Sequence, residues 1–384
     1  MKTLLYFIPF NIMKNNAGAI SRAWALLEAF AQNGITVDYV HSNDIWGASM
    51  NADEQRELLK SGLVRSIYSV SKKPESILAV RQWLSYGIRR LGRELTLKRS
   101  LPNFATTFSR YQFEKILREN SYDYIVISYA YWVNLIRNSS YIKNAKLIID
   151  THDFLTAQEQ NRRKFSIGKG FEEEMKRLAI FDQIWTISTE EQYLFSQFTS
   201  SPVTLLPFCT EDRSSNTTEK RYDIIYVASD NPHNLKAADW FFREVYPLLT
   251  PSVKWCVIGS IHKYVPDKKN IHKVPYAESL DGYYSRAKLA ICPMLSGTGV
   301  KIKVIEALAY GLPVICSPRG VDGLVNKTGN GCVVAESAAA FAKNIATLLS
   351  VPDQYEKMQR QAISFFQKNH TKEVFLQVMS ETLK

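Results

Sequence analysis

The residues whose types and spacing could do chemistry gather between 296 and 324, in SGTGVKIKVIEALAYGLPVICSPRGVDGL. On a helix of about 3.6 residues per turn, Lys303, Glu306 and Tyr310 share one face, which sets an ammonium and a carboxylate one turn apart. Ile302, Ile305 and Leu308 recur on the other face, so that face is expected to be buried. Thr298 and Gly299 can open the helix, and Gly311 with Pro313 stops it. The apolar VIC at 314–316 then predicts a buried parallel strand. Ligands of open α/β sheets bind at the carboxyl ends of such strands, so the run reads as the back of a nucleotide-binding crevice. On an arbitrary surface helix the same lysine and glutamate would be a solvated pair worth roughly a few tenths of a kcal/mol.

Three other places carry reactive groups. Asp150-Thr151-His152-Asp153 follows the apolar KLII, so His152 should emerge where a strand ends, and an imidazole titrating near neutrality can carry a proton. Asp153 reads equally well as a helix cap. Gly18, in Asn15-Asn16-Ala17-Gly18-Ala19, lies between the first strand and its helix, whose free N–H groups favour an anion. Lys236 follows the turn Ser229-Asp230-Asn231-Pro232 in the same setting further along the chain, although turn chemistry alone explains Asp-Asn-Pro.

These groups need a scaffold, and the pattern supplies one twice. LLYFIPF at 4–10, a helix with Ile20, Ala23, Trp24, Leu27 and Phe30, and ITVDYV form a strand-helix-strand unit. Further strands are expected at 66–70, 124–128, 146–150 and 183–188. The polar EDRSSNTTEKR at 211–221 interrupts the series, which resumes with YDIIYVA, KWCVIG and LAICP. The fold class is therefore α/β, with two doubly wound sheets and a boundary near 207–220. The domains are set at 1–207, 208–365 and a terminal 366–384.

At 384 residues the chain can bury two cores, and 46% hydrophobic with 22% charged residues excludes a disordered or membrane-spanning class. Pro9, Asn11 and Lys14 interrupt the amino-terminal apolar run too early for a signal peptide. Five separated cysteines, mostly in apolar runs and without metal spacing, fit buried thiols in a reducing compartment; no metal site is expected. The net charge of +11 favours anionic partners. Residues 81–99 place Leu84, Ile88, Leu91 and Leu95 among arginines and lysines, a pattern that suits either an anionic membrane surface or an ordinary surface helix. The sequon at Asn216 carries weight only in a secreted chain.

The run from 296 to 324 resembles the donor-site motif of the family 4, or group 1, glycosyltransferases, retaining enzymes of GT-B architecture. The resemblance implies two Rossmann-like domains facing across a cleft, with the acceptor on the first and a nucleotide diphosphate sugar on the second. It implies that Glu306 grips the donor ribose and that Lys301 and Lys303 face the diphosphate. Gly299, Gly18 and Lys236 resemble further donor contacts, and Thr151-His152-Asp153 is similar to the segment that carries the catalytic histidine. Many members carry E-x7-E, but Thr298 stands where the first glutamate would be, so that role is not carried over. The terminal helix of such proteins crosses back onto the first domain.

The function expected is a metal-independent, hexosyltransferase-like retaining transfer that needs no cofactor. Bacterial polysaccharide or lipopolysaccharide assembly is the implied pathway, with a glycan or lipid-linked acceptor and a cytoplasmic setting, peripheral to the inner membrane face. A sugar-nucleotide epimerase or hydrolase on the same fold is the second reading. A basic membrane-surface or nucleic-acid-binding protein is the third. Charge is dispersed outside 81–99 and no RNA module is present, so nucleic acid is not expected as a partner.

Overall fold

The computed structural model describes residues 2–14, 18–44, 49–74, 83–84, 100–215 and 218–383. Asn15 to Ala17 of the glycine loop, most of 81–99, and Asn216 with Thr217 lie outside the described residues. Two compact units form, Met1–Leu206 with Val378–Lys384, and Pro207–Gln377. The first boundary falls one residue before the expected one. The tail that groups with the first unit begins at Val378 rather than at 366.

The first unit carries β1 (Thr3–Phe7), α1 (Gly18–Gln32), β2 (Thr36–Ser42), α2 (Ala52–Lys60), β3 (Ser66–Val70), α3 (Thr107–Glu119) and β4 (Tyr124–Ser128). It continues through β5 (Lys146–Asp150), α4 (Leu155–Glu159), α5 (Ile167–Leu178), β6 (Gln183–Thr186), α6 (Thr189–Phe198) and β7 (Val203–Leu205). The seven strands are parallel in the order β3-β2-β1-β4-β5-β6-β7. Leu4, Leu5, Tyr6 and Phe7 are all fully buried, as a central strand covered on both faces requires. The direction of winding reverses between β1 and β4, so the loops that leave these strands open a crevice at their carboxyl ends. Ser128 pairs with Asp150, so β4 and β5 deliver Tyr129 and Thr151 to the same edge of the sheet.

The second unit carries β8 (Tyr222–Val227), α7 (Pro232–Trp240), β9 (Trp255–Ile258), β10 (Ile271–Val274), α8 (Asp281–Tyr284) and β11 (Ala287–Cys292). There follow α9 (Ile302–Ala309), β12 (Val314–Cys316), β13 (Cys332–Val334), α10 (Ala338–Ser350) and α11 (Pro352–Asn369). A last helix, α12 (Lys372–Thr382), begins in this unit and passes at Val378 into the first. These six strands are also parallel, ordered β10-β9-β8-β11-β12-β13, with the reversal between β8 and β11. All five cysteines are buried free thiols. Among the described residues no helix is long and apolar enough to cross a membrane.

Helix α9 starts at Ile302, not at 298. Gly299 has φ of +74°, a left-handed conformation that glycine adopts without steric cost but that ends helical continuity, and Lys301 is the extended N-cap.

Candidate functional site

In the second unit the chemistry sits at the reversal point of the sheet, on the segments that follow β8 and β11. Asn231 caps α7 by accepting the Asn234 N–H at 2.9 Å, and Pro232 starts the helix with its φ already helical. This places the Asn234 amide where its nitrogen donates to Ser229 Oγ at 3.1 Å and its oxygen accepts from Lys303 Nζ at 2.9 Å. The two segments are joined again by His233 Nδ1 and Ser296 Oγ, 2.9 Å apart. Gly297 fits here because its φ is +100°, a backbone conformation that residues with a β-carbon rarely adopt.

Lys301 is 7% exposed, and its ammonium donates to the carbonyls of Gly299 at 2.6 Å and Thr298 at 3.4 Å. Burial pushes both lysines below the usual ammonium range, and the Lys303 ammonium further disfavours charge on Lys301. Neither forms an ion pair among the described residues; their partners are neutral oxygens. Two ammonium groups whose hydrogen-bond partners are neutral oxygens make a receptor for an anion, which would favour their charged forms.

Glu306 does not bond Lys303. Tyr284 donates to its Oε2 at 3.5 Å, and burial raises the carboxyl above its usual range while Tyr284, Lys303 and Arg213 pull it down. Tyr284 in turn stacks on Tyr310, ring centroids 5.1 Å apart, and Arg213 and Tyr310 both bond Asp281. The expected shared face of Lys303, Glu306 and Tyr310 therefore exists, but as three anchored groups rather than a solvated pair. Lys236 is exposed on α7 and makes no hydrogen bond or ion pair among the described residues, so it does not join Lys301, Lys303 and Glu306. The residue of α7 that does reach this cluster is Asn234.

In the first unit, His152 leaves the end of β5 with φ of +62°, and Tyr129 leaves β4 with φ of +67°. Such backbone costs about 1–3 kcal/mol for a residue with a side chain and persists where its surroundings enforce it. Here the two rings stack at 4.1 Å with planes 10° apart. His152 Nε2 lies 2.9 Å from Asp150 Oδ2, off the ideal hydrogen-bond direction. Asp150 is fully buried, and Arg22 of α1 grips it with Nε at 2.9 Å and Nη2 at 2.6 Å. Burial alone would raise this carboxyl, but the Arg22 guanidinium and His152 hold it well below the usual carboxylate range. Gly18 opens α1 beside the reversal point of this sheet, at the far end of the turn that leads to Arg22. Sequence reasoning missed Arg22, Tyr129 and Asn234. One signal for Arg22 was available: Asp150 ends an apolar strand, and a carboxylate there needs a partner.

Comparison with known proteins now has a geometry to meet. The family described as Glycosyl transferases group 1 matches residues 221–351, which lie within the second unit and include both lysines and Glu306. This unit is similar to the group 1 glycosyl transferases. A relative described as an uncharacterized 44.6 kDa protein in the cps region of Klebsiella pneumoniae is 24% identical, with 71% of this chain and 77% of the relative covered. The Anabaena protein HepE, solved in complex with UDP, superposes with a TM-score of 0.70 at 12% identity, covering 100% of this chain and 99% of that one. Sucrose-phosphate synthase from Thermosynechococcus elongatus gives 0.67 at 15% identity, covering 100% and 98%. At such identities the likeness establishes the fold, a two-domain α/β fold of the GT-B kind.

Proposed function

We propose that this protein is a retaining group 1 glycosyl transferase that moves a sugar from a nucleotide diphosphate sugar to an acceptor hydroxyl in bacterial polysaccharide or lipopolysaccharide assembly. The observation that carries the reading is the pair of ammonium groups of buried Lys301 and half-buried Lys303, hydrogen-bonded to neutral oxygens beside the reversal point of the second sheet. The difficult step is departure of an anionic diphosphate from an anomeric carbon. Fixed cations aimed at that diphosphate stabilise charge as it grows and need no reorganisation at the moment of reaction. Lys301 and Lys303 thus take the part a divalent cation plays elsewhere, and the transfer is metal-independent.

Glu306 accepts from the donor ribose hydroxyls, and the backbone of Gly299 and the amino end of α1 at Gly18 face phosphate oxygens. His152 orients the transferred sugar or relays a proton, while the departing phosphate takes the proton of the attacking hydroxyl on the same face. Lys236, exposed as it is, meets the donor only if the ligand reaches out over α7. The acceptor binds the first unit. A relative from a cps region supports a glycan acceptor; on this reading the acceptor is a glycan or lipid-linked glycan and transfer takes place at the cytoplasmic face of the membrane. Of the segment 81–99 that would touch lipid, Trp83 and Leu84 are described and both are exposed.

The test is incubation of the full chain with sugar-labelled donors and a panel of acceptors in the presence of EDTA. Transfer with retained anomeric configuration supports the reading. Hydrolysis or isomerisation that proceeds as fast without acceptor contradicts it and favours an epimerase or hydrolase.

A further inference from the structure

We infer that Asp150, clamped by Arg22, is the positioning residue that decides which nitrogen of His152 works on the substrate. The inference rests on the catalytic role proposed for His152. Nε2 is sealed from solvent and faces the Asp150 carboxylate at 2.9 Å. Nδ1 makes no hydrogen bond among the described residues and is not among the sealed atoms that lack a partner. A neutral imidazole holds one proton, and a carboxylate beside Nε2 draws it there. The Nδ1 lone pair is then the free acceptor.

Three features make the assignment specific. Arg22 uses both its Nε and Nη2 on Asp150 and its Nη1 on the Leu206 carbonyl at 2.7 Å, so the carboxylate cannot swing away. Tyr129 lies flat against the imidazole, which blocks a flip of the ring about its own axis. The left-handed backbone at His152 aims the side chain back at Asp150, the residue two positions before it, instead of across the sheet. The other charged or titratable groups around this network are Asp153, Tyr6 and Tyr129. None offers a second carboxylate to Nε2 among the contacts of His152.

The substitution Asp150→Asn should invert the tautomer. Arg22 still donates to the side-chain oxygen, so the new amide nitrogen must face Nε2 and donate to it, which forces the imidazole proton onto Nδ1. Arg22→Gln keeps the carboxylate and still offers it an amide N–H in place of the guanidinium, so it should keep the wild-type tautomer.

The experiment is long-range proton–nitrogen correlation NMR of the full chain with labelled histidine in mildly alkaline buffer, the His152 signals being assigned by difference against His152→Gln. Wild type and Arg22→Gln are expected to show protonated Nε2, and Asp150→Asn protonated Nδ1. Asp150→Asn should also lose about 10²-fold or more in kcat with donor KM within about threefold, whereas Arg22→Gln loses far less. A purely structural role would leave both variants equally impaired. If Asp150→Asn does not fold, as judged by its thermal melt, the wild-type and Arg22→Gln spectra still decide the tautomer. Protonated Nδ1 in the wild type, or an unchanged tautomer in a folded Asp150→Asn, overturns the inference. Full transfer by His152→Gln would instead overturn the catalytic role of His152 and leave the tautomer assignment standing.

Discussion

Lys303 Nζ and Asn234 Oδ1 are 2.9 Å apart, a bond between the segments that follow β11 and β8. It holds the ammonium at the reversal point of the sheet with a neutral partner, so the charge remains available to a ligand. Lys303→Ala is therefore expected to lower the single-turnover rate at saturating donor by about 10²-fold or more, as loss of one preorganised donor does elsewhere. Asn234→Ala should lose less, because the cation remains but is no longer aimed. An unchanged single-turnover rate for Lys303→Ala would remove the lysine from the chemistry.

Glu306→Ala should act on binding rather than rate. A charged hydrogen bond contributes roughly 1.5–3 kcal/mol, which corresponds to a donor Kd about tenfold or more weaker, measurable by calorimetry. Tyr284→Phe removes only the 3.5 Å contact to Glu306 and should have a smaller effect in the same direction. Equal donor affinity for Glu306→Ala and wild type would reassign the carboxylate to structure.

Glu191, in the first turn of α6, carries the clearest pH signature. Burial, helped by the nearby Asp153, pushes its carboxyl up to about 8 from an ordinary 4.5, and its Oε2 has no partner among the described residues. A folded-state value above the unfolded one means the native chain binds more protons between the two. Stability is then complete below the unfolded value and declines as pH rises through about 8. Glu191→Gln keeps the shape without the charge, so its melting temperature should match wild type near pH 5 and exceed it near pH 9. Parallel melting curves for the two proteins across that range would show the carboxyl to be solvated.

Gly259, which leaves β9, has φ of +102°, and a β-carbon there would meet the Ala228 carbonyl at 2.3 Å. Because Ala228 begins the segment that carries Asn231 and Asn234, Gly259→Ala should both destabilise the fold by at least about 1–3 kcal/mol and weaken donor binding. Gly62→Ala, at φ of +72° but with open space around it, should cost about 1 kcal/mol and leave donor binding alone. Similar thermal shifts for the two variants would show that the Ala228 contact relaxes freely.

Much of the scaffold was readable because parallel, doubly covered strands are written as apolar runs. β3, β4, β5 and β12 fall where the sequence puts them, while β7, β10 and β13 are short edge strands only partly buried, unlike the fully buried β12. The helix start was misplaced because Thr298 and Gly299 resemble a helix opening, and only the backbone conformation of Gly299 shows otherwise. The site was legible as residue types but not as partnerships. Lys303 bonds a residue 69 positions away and Glu306 one 22 positions away, so the local spacing that pairs them in sequence does not pair them in space. Arg22 and Tyr129 escaped for the same reason, since their meaning comes from Asp150 and His152 on another strand.

The central claim is that Lys301 and Lys303 receive the diphosphate of an activated sugar. Its most direct test is calorimetric titration of the full chain with uridine, guanosine and adenosine diphosphates and with the parent nucleosides, repeated on the Lys301→Ala and Lys303→Ala variants. The account predicts that at least one diphosphate binds far more tightly than its nucleoside and that either substitution removes most of that difference. Equal binding of nucleoside and diphosphate by the wild type, or a preference for diphosphate that survives loss of both lysines, would contradict it.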